Sequence, residues 1–228
     1  AVILSAQSTD VGVNKATAKL YPVANTPEAI YALGVEGLSE YIKTIGLYNS
    51  KAKNVIETCR ILIEKHGGQV PAALDALRAL PGVGEYTAAA IASFGYGQRH
   101  LVLDTNVRRV LARIEDVCEF PPTHLTQGER DRRQGWVPDD PAQAVAWAVA
   151  SMELGALVCT ARTPACPSCP VRESCAWFAA GRPAHEGPPR RGQTYAGTDR
   201  QCRGVLLGVV RDAAGPVPEE AVLAAWTS

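Results

Sequence analysis

Four of the seven cysteines, Cys159, Cys166, Cys169 and Cys175, crowd into one stretch with the spacing C-x6-C-x2-C-x5-C. Such short intervals bring each sulfur close to the next, so the rest of the fold has to close around this loop. A secreted disulfide framework is the first alternative. Against it, the apolar opening Ala1 to Leu4 is too short for a signal peptide and lacks a basic leader, and crowded cysteines in a cytosolic chain read better as metal ligands. Structural zinc and a metal cluster both take four thiolates. Zinc sites usually show two CxxC pairs, and here there is one, Cys166 to Cys169. Pro164, Pro167 and Pro170 stiffen the loop, and Cys59, Cys118 and Cys202 lie apart from it as ordinary thiols.

Hydrophobic residues make up 46% of the 228, enough for a real core, and aromatics only 6%, which favours helices packed through Ala, Leu and Val over a β-sandwich. Strand-type alternation is nowhere sustained, and an all-α fold is expected. The formal net charge of +0 means that affinity for nucleic acid has to come from local placement of Lys and Arg. No run reads as long enough to span a membrane, so a soluble, cytoplasmic chain is expected.

Helical segments separated by turn signals fill the chain to about Arg113. Thr26-Pro27-Glu28 opens one through Leu33, and Glu36 to Ile45 and Ser50 to Lys65 make two more, the last closed by Gly67. Glu115 to Pro138 reads as a polar, Pro-rich loop, and Pro141 to Leu157 as a strong helix that delivers Cys159. Ala180 to Arg203 reads as a linker, Val205 to Val210 as a strand and Glu219 to Trp226 as a helix. The missing initiator Met predicts that residue 1 lies inside a longer chain, and the tail predicts a further module beyond Ser228.

Leu80-Pro81-Gly82-Val83-Gly84 sits between a helix ending near Ala79 and one starting near Glu85. A Gly-rich turn that opens a helix leaves backbone N–H groups pointing outward, a sequence-independent grip on phosphate. About twenty residues on comes Asp104, in Val102-Leu103-Asp104-Thr105-Asn106-Val107-Arg108-Arg109-Val110, placed to cap a helix through Val107.

Together the hairpin, Asp104 and the cysteine run with its lead-in Glu153-Leu-Gly-Ala-Leu-Val-Cys159-Thr resemble the helix-hairpin-helix DNA glycosylases. The resemblance covers nearly all of residues 1 to 180. It implies a two-lobed fold: a six-helix barrel with the hairpin over residues 1–98, an iron-sulfur cluster domain over 99–180, and a linker with a truncated segment over 181–228. It further implies a 4Fe-4S cluster on Cys159, Cys166, Cys169 and Cys175, and hydrolysis of an N-glycosidic bond. Asp104 would stabilise or capture the oxocarbenium-like sugar, with Tyr86 and Asn106 orienting it.

Within this superfamily, members that also cleave the backbone carry a lysine where this chain has Tyr86, and a phenol cannot form an imine. Tyr86 fits monofunctional members, MutY-like and thymine-mismatch enzymes alike, and Asn106 resembles the MutY-type adenine DNA glycosylases, which implies a monofunctional enzyme acting on adenine opposite 8-oxoguanine or guanine. Residues 1–64, through Leu4-Ser-Ala-Gln7-Ser-Thr-Asp10 and Ile45-Gly-Leu-Tyr48-Asn-Ser-Lys51, resemble endonuclease III instead, which implies oxidised pyrimidines or mismatched T or U as the alternative substrate. The MutY-type general-acid glutamate falls on Ala1 or Val2. Its loss costs about 10²–10⁴-fold in that kind of catalysis, so a catalytically impaired lesion-binding protein is a further alternative.

The DNA contacts implied are Gln7 as a wedge in the gap left by a flipped nucleotide, the turn Leu80, Gly82, Val83 and Gly84, and phosphate contacts from Lys51, Arg108, Arg109 and Arg162, with Arg172 beside them. The partner implied is double-stranded DNA with a damaged or mispaired base, met by a monomer at the bacterial nucleoid.

Overall fold

The computed structural model describes residues 2–5, 8–187, 196–213 and 215–226, and among them every regular element is helical. Two units form, Ala1–Ala184 and His185–Ser228.

In the first unit, α1 (Val2–Ser5), α2 (Asp10–Leu20), α3 (Pro27–Ile42) and α4 (Tyr48–His66) bury one apolar cluster that includes Leu4, Leu20, Leu38, Ile42 and Ala52. Thr9 and Thr26 cap α2 and α3 by accepting from the amides of Gly12 and Ala29. The break expected between Leu33 and Glu36 is made by Gly34, whose φ of 66° and ψ of 178° interrupt α3. Gly67, at φ 58°, closes α4 in the left-handed conformation, as its position after the periodic run predicts.

A second cluster, with Leu62, Leu77, Leu80, Val83 and Ala92, holds α5 (Leu74–Arg78) and α6 (Glu85–Ala90) around the hairpin turn, and α6 runs on into a π turn over Ile91–Gly95. Val102, Val107 and Leu111 then seat α7 (Thr105–Ile114) against α9 (Pro141–Glu153), which ends in its own π turn, Leu154–Val158, directly before Cys159. A short α10 (Ala176–Ala179) follows the cysteines.

Two expectations for this unit are corrected. Residues 115–138 are not simply a loop. They contain α8 (Gln127–Gln134), capped by Thr126, and buried Arg133 on α8 forms ion pairs with Glu115 and Asp116 that fold the segment back on itself. One run, Pro141–Val158, is long and apolar enough to cross a membrane by length and composition, and Ala144, Ala148 and Ser151 on it are buried within the unit.

The second unit holds α11 (Asp199–Asp212) and α12 (Glu219–Ala224). The strand expected over Val205 to Val210 is the middle of α11, and the linker expected up to Arg203 gives way to helix after Thr198, whose hydroxyl accepts from the Gln201 amide. A short apolar run without strict alternation carries no period of its own, and the cap decided it.

Candidate active site

Asp104 is the N-cap of α7. Its Oδ1 accepts from the Val107 amide at 2.6 Å and its Oδ2 from Asn106 Nδ2 at 3.0 Å, so both carboxylate oxygens are fixed while the group stays half-buried. Asn106 is itself held, because its Oδ1 accepts from Arg109 Nη2 at 2.9 Å. That guanidinium also donates Nε to the Cys159 carbonyl at 2.8 Å and Nη2 to the Gly155 carbonyl at 2.6 Å. A continuous chain of hydrogen bonds therefore leads from the backbone of the first loop cysteine to the Asp104 carboxylate.

Tyr86, on the first turn of α6, is 40% exposed. Partial burial first, and the charge of Asp104 second, push its phenol above the ordinary tyrosine value, so the two groups lie within electrostatic reach. In the turn that leads to it, Gly82 adopts φ 75°, and a Cβ there would fall 2.9 Å from Asn54 Nδ2. Thr58 Oγ1 donates to the Pro81 carbonyl at 3.1 Å and pins the turn to α4. Leu80 and Val83 are buried, and the Val83 amide donates to the Leu80 carbonyl at 3.1 Å. The Val83 amide thus closes the turn rather than facing outward, which removes it from the expected phosphate grip. On the neighbouring residue, Glu85 pairs with Arg130 and ties α6 to α8.

Three of the cations expected at phosphate are used inside the protein. Lys51 is 5% exposed, donates to the Leu4 carbonyl at 2.9 Å and to Ser8 Oγ, and so staples α1 to α4. Arg108 forms a two-pronged pair with Glu129, at 2.8 and 2.7 Å, and reaches the Pro122 carbonyl. Arg109 serves the relay described above and is buried, its guanidinium pushed below the ordinary arginine value by that burial and by Arg113. These side chains are corrected from DNA contacts to structural ties. Arg162 is exposed on the cysteine loop, as expected, and Arg172 stacks over Phe178. Gln7 lies outside the described residues.

The cysteine loop is built from two short 3-10 turns, Cys166–Ser168 and Arg172–Ser174, each closed by the amide of the following cysteine. All seven cysteines are free thiols, and Cys59, buried far from the loop, is pushed up to about 11 by that burial. Cys159, Cys166, Cys169 and Cys175 line one small pocket, partly open to solvent, together with Arg113 and Trp177. Burial first, and the neighbouring cysteines after it, push the Cys169 thiol above its ordinary value. Among the described residues no three such side chains close on a point that suits a single metal ion.

Three residues of this region were not anticipated. Leu47 takes a left-handed backbone, φ 58°, at the start of α4 and is 61% exposed, an apolar side chain held outward by a strained turn. Gly155 lets the second π turn touch α7. Arg113 lies under the cysteines. Arg109 and Arg113 stand four apart on one helical face, where like charges repel, and this is the signal that carbonyls or anions had to meet them.

Residues 1–133 match the family described as HhH-GPD superfamily base excision DNA repair protein. Over 176 residues the chain is 48% identical to endonuclease III of Escherichia coli (strain K12), a match covering 77% of this chain and 80% of that one. Over 189 residues it is 46% identical to an adenine DNA glycosylase of Mycobacterium tuberculosis, covering 78% of this chain but only 58% of that relative. The fold superposes on the structure of a non-covalent endonuclease III–DNA complex with a TM-score of 0.69 at 34% identity, over 79% of this chain and 82% of the other. A helical frame that caps a half-buried aspartate, sets a glycine hairpin before a tyrosine and gathers four cysteines accords with these matches: the chain belongs to the HhH-GPD superfamily of base excision DNA repair proteins, within the family that holds endonuclease III and the adenine DNA glycosylases.

Proposed function

We propose that this DNA glycosylase is monofunctional and removes adenine mispaired with 8-oxoguanine or guanine from duplex DNA. The observation that carries this reading is Tyr86, within electrostatic reach of Asp104, in the slot where a lyase needs a lysine. As the base leaves, positive charge develops on the sugar. An Asp104 carboxylate already oriented by Val107 and Asn106 meets that charge without reorganising, which is where electrostatic stabilisation is strongest. The Tyr86 phenol, kept protonated well above neutral pH, donates a proton in a hydrogen bond without losing it. Leu47 fits a wedge into the stack from which the base is taken, and the amides of Gly82 and Gly84 fit the phosphate backbone.

The four cysteines fit a 4Fe-4S cluster, which when bound orders the loop that carries Arg162. Through Arg109 and Asn106 the same loop braces the aspartate.

A second reading, an oxidised-pyrimidine or mismatched T/U glycosylase, is favoured by the endonuclease III character of residues 1–64 and by the 48% identity to that enzyme. Single-turnover release of base from duplexes with A:8-oxoG, A:G, thymine glycol and T:G, with and without alkali and with Asp104→Asn as control, separates the two. Cleavage at A:8-oxoG that needs alkali and disappears in the control is expected. Alkali-independent cleavage at thymine glycol overturns the proposal. Tight binding without release from any duplex identifies a lesion-binding protein that has lost the general acid.

A further inference from the structure

The side chain of Arg113 is not required by the chemistry at Asp104, yet it is among the most enclosed in the protein, at 1% exposure. A guanidinium keeps its charge even when buried, and such a position is stable only where every donor has a partner. Arg113 Nε donates to the Glu119 carbonyl at 3.0 Å, Nη1 to the Thr160 carbonyl at 2.8 Å and Nη2 to the Ala161 carbonyl at 3.2 Å. Its plane lies 4.6 Å over the Trp177 ring, with Phe120 at 5.9 Å. The remaining contact runs from Nη1 to Cys159 Sγ, at 3.2 Å. Of these partners the sulfur is the one that carries a negative charge once deprotonated.

The other three cysteines are placed differently. Cys175 Sγ lies 3.6 Å from the carbonyl oxygen of Arg113, a dipole of the opposite sense, and Cys166 and Cys169 open and close the first 3-10 turn and line the same cavity. Arg172 also lines the cavity, but its Nη1 reaches the Pro167 carbonyl, at 3.4 Å, and its plane stacks over Phe178. One of the four cysteines is therefore matched to a fixed buried cation, and the other cation that lines the cavity is turned elsewhere.

We infer that Arg113 is a positioning residue for the cluster: its guanidinium orients the Cys159 thiolate and holds a fixed positive charge against it, which raises the reduction potential of the group that the four cysteines bind. This rests on the cluster reading of the four cysteines. The physical reason is that a hydrogen bond and a positive charge at a ligand sulfur stabilise the more negative, reduced form more than the oxidised one, the more so in a site shielded from water.

The test uses the full chain purified without oxygen, with iron and acid-labile sulfide measured first and the midpoint potential measured by voltammetry on the wild type and on Arg113→Gln, Arg113→Lys and Arg172→Gln. Wild-type protein without iron overturns the cluster reading itself. With iron present, R113Q is expected to favour the oxidised form about tenfold more than the wild type, about 59 mV lower for a one-electron couple, while R172Q stays at the wild-type potential. A loaded R113Q with the wild-type potential overturns the inference, and so does an equal drop in R172Q, because a general loss of positive charge would then suffice. Where R113Q does not take up iron, R113K carries the test. It keeps the charge but not the fork, and its potential is expected between those of the wild type and an uncharged variant; a wild-type value overturns the inference. If both variants keep wild-type helicity yet fail to load while R172Q loads normally, the orienting role of Arg113 is supported.

Discussion

Gly155 and Asn106 meet so closely that a methyl group on Gly155 would fall 2.7 Å from Asn106 Cβ and 3.0 Å from its backbone carbonyl. The contact joins the π turn before the cysteines to the first turn of α7, and the Gly155 carbonyl accepts from the Arg109 guanidinium that holds Asn106. Gly155→Ala is expected to destabilise the protein by about 1–3 kcal/mol through overpacking. It should also slow base release more than binding, because the shift is delivered to the residue that orients Asp104. Chemical denaturation together with single-turnover release checks this, and an unchanged release rate would separate the relay from catalysis.

The Tyr86 phenol is displaced upward by burial and then by Asp104. An ultraviolet difference titration of wild type against Tyr86→Phe should place its midpoint above the ordinary value of about 10. In Asp104→Asn the displacement should shrink but persist, since burial is the larger cause. Because the folded phenol titrates above an unfolded tyrosine, its contribution to stability is complete below that ordinary value and is lost as pH rises through the folded midpoint. Near neutral pH Tyr86 should therefore produce no inflection in the rate profile.

Leu47 sets stability against function. Its left-handed backbone costs about 1–2 kcal/mol in an L residue, a strain that glycine does not carry. Leu47→Gly should leave thermal stability equal or slightly raised while base release falls at least about tenfold, as expected when an apolar wedge is removed. Loss of stability with full activity would mean that the side chain serves the fold alone.

Glu129 is 1% exposed and paired through both oxygens with Arg108. Removing one partner of a buried pair leaves an uncompensated charge, so Glu129→Ala should cost about 3–5 kcal/mol by denaturant titration. The double variant Glu129→Leu with Arg108→Met should recover most of that loss. If Arg108 instead served DNA, the double variant would bind duplex more weakly with a shallower salt dependence, and the structure predicts no such change.

Much of the frame follows from local chemistry. The caps at Thr26 and Asp104, the glycine after His66 and the Gly82 turn were legible because each satisfies its own backbone within a few residues. Even α8 was announced by Thr126 and Glu129, a capping pair that the surrounding Pro and charge obscured. In the structure the Glu129 side chain turns instead to Arg108, twenty-one positions away in the chain. The fate of a charged side chain is decided in this non-local way. Lys51, Arg108 and Arg109 are indistinguishable in sequence from exposed phosphate contacts, and only the packing of α1 on α4, α7 on α8 and the π turn on α7 supplies the acceptors that draw them inward.

The sequence by itself determined that the chain is helical, that Asp104 caps a helix and that four cysteines share one loop. These depend on periodicity, backbone satisfaction and spacing, all of which operate over a few residues. The tertiary structure alone decided that the cysteine loop reaches Asp104 through Arg109 and Asn106, that Arg113 lies under the sulfurs and that Leu47 is held outward. Those relationships depend on which distant carbonyls and rings are brought within hydrogen-bonding or stacking distance, and that is fixed only when the helices pack.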